Sequence, residues 1–226
     1  MGLDMYLNKM PRYKDVTASQ VSAIENYFDY EEAKKAGNEY ANCTFKEWCD
    51  YDESDLPDKE TIDWFRQFYI TRYYTWDDEH KYPHSRIIEQ VGYWRKANQI
   101  HNWFVENVQD GEDDCCYHNE VTKEYLEELL DNCTKVYNSC TMIIGLVENG
   151  ATLNNGEWVP NMEMGKKIID TSIAEELLPT QGGFFFGSTD YDEYYVEDIE
   201  HTIDLITKVL ETTDFDKEML YYVSSW

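Results

Sequence analysis

Apolar residues along most of this chain recur at spacings of three and four, which is typical of helices that bury one face. The most regular segment follows Thr122 and turns six residues to one side: Leu126, Leu129, Leu130, Cys133, Val136 and Tyr137. A last helix is predicted to begin at Asp190 and Glu193, which form an Asp-x-x-Glu capping pattern. Its inward face would hold Ile199, Thr202, Ile203, Ile206, Val209 and Leu210.

Three further helices are predicted from their end signals. The first follows Thr17, which pairs with Gln20 as a capping box. The second begins near Pro57, because proline is favoured in the first turn of a helix. A short helix is predicted over 168–178, where the next residue is proline.

The central stretch 91–105 combines aromatic and basic residues in an otherwise acidic chain. Its spacing predicts a helix from a cap at Ser85 to about Val108. Such a helix buries Tyr93, Ala97, Ile100, Phe104 and Val108 on one face. Its rim then carries a polar stripe made of Arg95, Asn98 and Asn102, with His101 at the edge of the apolar face.

Three short segments alternate or are aromatic in the manner of strands. Leu3, Met5 and Leu7 alternate with polar residues up to Pro11. Phe184–Phe186 stands between glycines, and the chain ends in Met219–Trp226, which is rich in aromatic and β-branched residues. These three strands are predicted to form one small sheet.

The segment 141–165 has fewer charges than its surroundings and two Asn-Gly pairs, so a hairpin or extended flap is predicted there. With no internal repeat and no linker, the whole chain 1–226 is predicted to form a single α+β domain. That domain is mainly helical, with the small sheet and the inserted flap.

The charge of the chain bears on its binding partners rather than on its fold. The chain has 46 acidic and 19 basic residues, which gives a net charge of −27. Such a field repels nucleic acid and anionic membranes and attracts proteins with basic surfaces. Direct nucleic-acid or membrane binding is therefore not expected, although the acidity could also serve only to keep a Tyr-rich protein soluble.

The six cysteines and the apolar runs bear on the compartment. No apolar run is long enough to span a bilayer, and no signal-peptide pattern is present. The cysteines are therefore expected to be reduced thiols, and the protein is expected in the cytoplasm.

The helix rim is the first candidate ligand site. Arg95, Asn98 and His101 could hold an anionic or nucleotide-like ligand, because arginine offers a forked contact and histidine a donor. The turn at Asp190 and Tyr191 is predicted to face them, and Asp4 is a further candidate. The alternative is that Arg95 pairs with one of the many acids and that His101 is a buried structural histidine.

Acidic clusters and one thiol pair are the other candidates. Partner binding is predicted for one cluster in the connection 43–60 and one around the last helix: Asp50, Asp52, Glu53, Asp55, Asp192, Glu197 and Glu200. Cys115, Cys116 and His118 are weak zinc candidates, since adjacent cysteines chelate poorly and no second pair matches them. No motif for nucleotide binding, metalloprotease activity or nucleophilic catalysis is present, so no cofactor is expected.

Four strings carry a resemblance: MGLDMYL, VGYWRKANQIHNWFV, VQDGEDDC and LLPTQGGFFFGSTDYDEYY. They resemble a family of uncharacterised proteins encoded by bacteriophages, prophages and some bacteria. The resemblance covers most of the chain and least of 141–165. That family has no assigned activity, so the resemblance implies only a phage-type accessory protein in a bacterial cytoplasm.

Three functions remain open. The first is an acidic accessory protein that binds and modulates a host protein with a basic surface, such as a defence factor, in part by imitating nucleic acid. The second is a small-ligand or nucleotide-binding protein, or an enzyme, that uses the helix rim. The third is a structural or assembly protein that forms homo-oligomers through aromatic surfaces.

Overall fold

The computed structural model of this chain describes residues 2–70, 72–75, 81–84, 86–113, 118–154 and 156–226, with the backbone alone for 72–75 and 81–84. Its α-helices are α1 (Ala18–Lys35), α2 (Phe45–Trp48), α3 (Lys59–Phe65), α4 (Asn98–Val108), α5 (Lys123–Ser139), α6 (Ser172–Leu177) and α7 (Glu193–Thr212). Its strands are β1 (Asp4–Pro11), β2 (Arg72–Thr75), β3 (Lys81–His84), β4 (Glu89–Arg95), β5 (Asn119–Val121), β6 (Met142–Asn154), β7 (Glu157–Ile168) and β8 (Glu218–Ser225). The predicted α+β class is confirmed.

The chain divides into two compact units. The first comprises 1–8, 90–215 and 220–226, and the second comprises 9–89 and 216–219. Among the described helices, none has the length and apolar character needed to cross a membrane. The single domain over 1–226 remains a prediction.

The first unit is built on a four-stranded sheet with the order β4-β1-β8-β5. Leu3, Met5 and Leu7 alternate along β1, as the sequence predicts, and each is fully buried. Helices α4, α5 and α7 contribute many further core residues, among them Phe104, Leu129 and Ile199. The predicted inward positions of α5 and α7 are largely confirmed, because the leucine and isoleucine rows recur at the helical period.

The second unit contains α1 to α3. The capping box at Thr17 is confirmed, with Gln20 N donating to Thr17 Oγ1. Helix α3 is capped by Asp58, so Pro57 lies just outside it rather than in its first turn. Inside this unit Glu25 accepts hydrogen bonds from Ile87 N and Ile88 N. Burial raises the pKa of Glu25 to about 7.

The prediction of one long helix from residue 85 to 108 is wrong. Residues 89–95 form β4, and the helix begins only at Asn98. The predicted cap, Ser85, lies outside the described residues. Within β4, Gly92 and Trp94 are buried while Tyr93 and Arg95 are exposed, which is the alternation of a strand. Residues 89–95 have helical spacing, but they form a strand because they pair with β1.

The loop before α7 also differs from prediction. Phe184–Phe186 forms a turn rather than a strand, and Phe184 is 80% exposed. The sheet instead gains β4 and β5, and the end of the predicted helix over 168–178 becomes α6, beginning at Ser172. The cap of α7 is Asp192, whose side chain accepts from Tyr195 N at 3.0 Å.

The predicted flap is confirmed as a two-stranded antiparallel hairpin of β6 and β7. It extends three residues beyond the predicted boundary, to Ile168. A bulge between Glu148 and Ala151 coincides with the first Asn-Gly pair. Gly156, the glycine of the second pair, lies at the tip of the hairpin with φ of +89°, and Asn155 lies outside the described residues.

Candidate functional site

A cleft of about 800 Å³ lies in the first unit. Its walls come from the hairpin, the loop 180–190, the junction between β4 and α4, and the first turns of α7. Glycines let these segments approach closely. A side chain at Gly187 would meet Lys96 Cβ at 3.3 Å, and Gly187 itself has φ of +91°.

One wall of the cleft is acidic. Asp190 accepts a hydrogen bond from Glu148 N at 2.5 Å, which joins the turn before α7 to the hairpin. Asp198 accepts from Gln99 Nε2 at 3.2 Å, and burial raises its pKa to about 6. Glu197 completes this wall as an exposed carboxylate.

Asp192 is the most unusual residue of the cleft. Its Oδ1 caps α7, but its Oδ2 is buried without a hydrogen-bond partner among the described residues. The side chain is 2% exposed, and burial raises its pKa, with Asp190 adding repulsion. An unmet buried acceptor costs roughly 1–3 kcal/mol.

Aromatic rings form the outer part of the cleft. Trp158 and Phe184 meet edge to face with ring centroids 6.4 Å apart. Trp158 is 59% exposed, and Tyr194 of α7 is also exposed. Large apolar rings left open to water beside a cleft are typical of a binding surface.

Arg95 and Lys96 are the basic residues of the cleft. Neither makes an ion pair with another residue in the described part of the chain. Lys96 has φ of +61°, a left-handed conformation that is uncommon outside glycine. This residue makes the corner at which β4 turns into α4.

Asn98 and His101 were predicted as ligand contacts, and the structure gives both a different environment. Asn98 Nδ2 donates to Phe186 O at 3.1 Å and to Ser188 O at 2.7 Å, while its Oδ1 accepts from Gln181 N at 2.9 Å. The Asn98 amide therefore holds the loop 181–188, although the residue also borders the cleft.

His101 is fully buried and does not border the cleft. Its Nδ1 lies 2.8 Å from Tyr222 Oη and its Nε2 lies 3.1 Å from Asp113 Oδ2. Because a carboxylate only accepts, Nε2 carries the proton and Nδ1 accepts from the tyrosine hydroxyl. Burial lowers the pKa of His101, partly offset by Asp113. The alternative interpretation, a structural histidine, fits this geometry.

The remaining ligand candidates are only partly brought together. Asp190 borders the cleft, but Tyr191 lies in a smaller neighbouring hollow, where its hydroxyl accepts from Thr180 N at 3.4 Å. Asp4 accepts from Tyr93 Oη at 2.5 Å on the exposed face of the sheet. The predicted group of residues is therefore divided among four places: the cleft, the core at His101, the neighbouring hollow and the exposed face of the sheet.

The acidic residues predicted to bind a partner differ in their exposure to solvent. Asp50, Glu53 and Asp55 are exposed, whereas Asp52 is half-buried and accepts from Ser54 N and from Lys46 Nζ. Around α7, Glu197 and Glu200 are exposed, and Glu200 accepts from Tyr137 Oη. Asp192 is buried and caps the helix, so it cannot present its charge to a partner.

The zinc candidates are only partly described. Cys115 and Cys116 lie outside the described residues, while His118 meets the ring of Tyr221 edge to face at 4.9 Å. Cys133 is buried, and burial raises the pKa of its thiol. No group of three metal-ligating side chains occurs in the described part of the chain.

The hairpin carries a surface that the sequence did not reveal. Trp158, Met162 and Met164 are separated by even numbers of residues along β7 and therefore share a face. Their partners across the hairpin are Leu153, Glu148 and Leu146. The bulge shifts the register of β6, so residues on both sides of it reach the same face. Alternation alone could not predict that shift.

Most of this face is apolar and open to water, and we call it the hairpin face: Ile144, Leu146, Leu153, Trp158, Met162 and Met164. Ile144 is 74% exposed and Met164 is 67% exposed. Trp158 belongs both to the hairpin face and to the cleft. The two features therefore form one continuous surface.

Comparisons with known proteins give no relative, since no family model, curated protein or solved structure matches the chain significantly. A cleft with carboxylates, aromatic rings and two basic side chains suits polar recognition. The hairpin face suits apolar contact.

Proposed function

We propose that this chain is an acidic binding protein that docks onto another protein through the hairpin face. The exposure of that face is the observation that supports the proposal most directly. Six large apolar side chains on one side of a hairpin favour removal from water, at roughly 25 cal/mol for each Å² buried. A monomer gains nothing from leaving them exposed, so a partner surface is the physical reason to keep them.

The partner is a protein with an apolar groove bordered by basic residues. A net charge of −27 draws such a surface in at long range and repels acidic ones. The exposed acids of the cleft and of α7 stand next to the hairpin face, which adds local charge complementarity. A host protein is proposed as that partner because it agrees with the phage-type resemblance, and the acidity fits a partner that otherwise binds nucleic acid.

The predicted nucleotide-binding alternative has less support. Its two central residues, Asn98 and His101, have their hydrogen bonds taken up inside the fold. The carboxylates of the cleft would repel a phosphate placed there, and only Arg95 and Lys96 would attract it. Protein binding by the hairpin face requires none of these residues to change partner.

The experiment compares the wild-type protein with a double variant, Leu146→Ser and Met164→Ser, as bait in bacterial lysate at low salt. The matched control is Val159→Thr, because Val159 is exposed on the opposite face of the same hairpin. A captured protein is then purified, and its affinity is measured at several salt concentrations.

We expect to capture a basic protein that binds the wild type and the Val159→Thr control. Its affinity for the double variant should be lower by about ten-fold or more, and its affinity for the wild type should fall as salt rises. Equal affinity for all three proteins overturns the role of the hairpin face. Sedimentation distinguishes the assembly alternative: a dimer lost in the double variant means that the partner is a second copy of this chain.

A further inference from the structure

The hairpin of β6 and β7 is attached to the loop before α7 at two points. At its base, Ile168 N donates to Tyr191 O at 2.9 Å, and Met142 is the cross-strand partner of Ile168. Further out, Glu148 N donates to the side chain of Asp190 at 2.5 Å. Both ends of this part of the hairpin are therefore attached to neighbouring residues of one loop.

These two attachments require the hairpin to bend. A straight strand advances about 3.3 Å per residue, so Met142 and Glu148 would lie about 20 Å apart. Asp190 and Tyr191 are adjacent, and their two acceptor oxygens cannot lie more than about 10 Å apart. With one hydrogen bond at each end, Glu148 N lies within about 15 Å of Ile168 N. The hairpin must therefore turn back between its two attachments.

A pair of glycines lies in the middle of that stretch. Gly145 and Gly165 are direct partners across the hairpin. A Cβ at Gly165 would lie 2.5 Å from Val147 Cγ2, and one at Gly145 would lie 2.6 Å from the Cε of Lys167. Neighbouring side chains therefore occupy the space above both glycines, as expected on the inner side of a bend. Glycine within a strand is typical of such a bend and leaves the backbone free to bend further.

The part of the hairpin beyond the glycine pair buries little apolar surface, and we call it the hairpin arm: residues 148–154 and 156–162. From Asn149 onward, every described side chain of the arm is exposed. The ring of Trp158 meets that of Phe184, but these rings are 59% and 80% exposed. Segments with few buried contacts open at a low free energy. The hydrogen bond between Glu148 and Asp190 is therefore well placed to hold the arm.

We propose that the hairpin arm is a hinged wall of the cleft, with Gly145 and Gly165 as the hinge and Asp190 as the latch. Glu148 and Trp158 of the arm line the cleft, whose other walls come from the loop 180–190, α4 and α7. When the latch breaks, the arm moves away as a paired hairpin and the cleft widens. This inference goes beyond the proposed function, because it concerns a motion of the chain alone and requires no partner.

The first test measures the distance between the arm and α7 in the full chain. Spin labels are attached through azido amino acids at the exposed positions 157 and 208, so that the native cysteines stay in place. Double electron–electron resonance gives the distance distribution for the wild type, Asp190→Ala and Asp190→Asn. The asparagine variant is the matched control, because its side-chain carbonyl can still accept from Glu148 N.

We expect one narrow distribution for the wild type and for Asp190→Asn. Asp190→Ala should give longer distances and a broader distribution, since the arm has lost its latch. The same distribution in all three proteins overturns the inference. Opening in Asp190→Asn as well overturns the hydrogen bond as the latch.

Amide hydrogen exchange distinguishes a hinge from local unfolding. Pro160 has no N–H, so its pair with Ala151 does not exchange two hydrogen bonds, and the next pair, Thr152 with Val159, does. In the alanine variant the Glu148 amide should exchange faster by about five-fold or more, because its acceptor is gone. Thr152 and Val159 should stay as protected as in the wild type. Loss of their protection would mean that the arm unfolds, which overturns the hinge.

A stiffer backbone tests the position of the hinge. Gly165→Ala is combined with Val147→Ala, which removes the methyl group that the new Cβ would meet. In the Asp190→Ala chain this pair should narrow the distance distribution, because alanine restricts the backbone, whereas Val147→Ala alone should not. An equally broad distribution overturns the glycine pair as the hinge. The proposed function fails separately, when partner affinity ignores Leu146→Ser and Met164→Ser.

Discussion

Two regions of the first unit carry polar side chains of the same kinds and use them in opposite ways. Beneath α4, His101, Tyr222 and Asp113 form a chain of hydrogen bonds in which the histidine and tyrosine have no access to solvent. At the cleft, Asp198 and Glu197 border a space large enough for a ligand, and Asp192 is buried behind them. The first region satisfies its groups internally, and the second leaves an acceptor unmet.

Residue type alone therefore does not locate a site in this protein. A histidine between a carboxylate and a hydroxyl suggests a catalytic or ligand-binding role. Here His101 instead joins α4 to β8 and rigidifies the core. The sequence of the hairpin contains no candidate site, yet the folded hairpin presents the exposed apolar surface. Solvent access, which depends on tertiary packing, separates the two.

The largest expected effect is loss of the buried network. His101→Ala leaves Tyr222 Oη and Asp113 without their partner and opens a cavity next to Phe186, whose ring lies 5.1 Å from the imidazole. We expect the free energy of unfolding to fall by about 3 kcal/mol at pH 7. Denaturant unfolding measures the change, and His201→Ala on exposed α7 is the control.

The pH dependence of that change has a definite sign. The pKa of His101 is lower in the folded state than its ordinary value of 6.5, so the unfolded chain takes up the proton first as pH falls. The contribution of His101 is complete above pH 6.5 and declines below it. A cost of His101→Ala that grows on acidification would contradict a neutral, buried histidine.

Elements with strong local signals were predictable from the sequence. The box at Thr17 and Gln20, the leucine row of α5 and the alternation of β1 each contain their evidence within a few residues. The hairpin was also predictable, because Asn-Gly pairs favour tight turns, although the first pair lies at a bulge.

What could not be predicted depends on contacts distant in sequence. Pairing with β1 turns residues 89–95 into a strand, so Arg95 and His101 do not share one helix as predicted. The cleft combines residues from 95 to 198, so its acids and rings share no local pattern. The bulge at Glu148 sets the register of the hairpin face, and neither its place nor its effect follows from composition.

A smaller effect is expected at the acidic wall. Asp198 has its pKa raised from 3.8 to about 6 in the folded state. The folded protein therefore keeps a proton that the unfolded chain releases, and stability falls as pH rises from 3.8 to 6. Asp198→Asn removes this loss and can still accept from Gln99.

Unfolding experiments at pH 4 and pH 7 measure this effect. The Asn variant should gain about 1–2 kcal/mol over the wild type at pH 7 and much less at pH 4, after allowance for partial exposure. Glu200→Gln should show no such pH dependence. A destabilised Asp198→Asn variant at pH 7 would mean that the carboxylate is held charged by an interaction other than the one with Gln99.

The smallest change in the free energy of unfolding is expected for substitutions on the hairpin face. This small change distinguishes the hairpin face most clearly from the buried network of His101. Met164→Thr and Ile144→Thr change residues that are more than half exposed, so each should alter the free energy of unfolding by less than about 0.5 kcal/mol. The same substitutions should lower the affinity for a docked partner, because their cost falls on the complex alone. Measurement at two protein concentrations extends the test. A loss of stability above 1 kcal/mol that grows with protein concentration would show that a second copy already covers the hairpin face, and the free surface inferred here would then be an interface between copies of this chain.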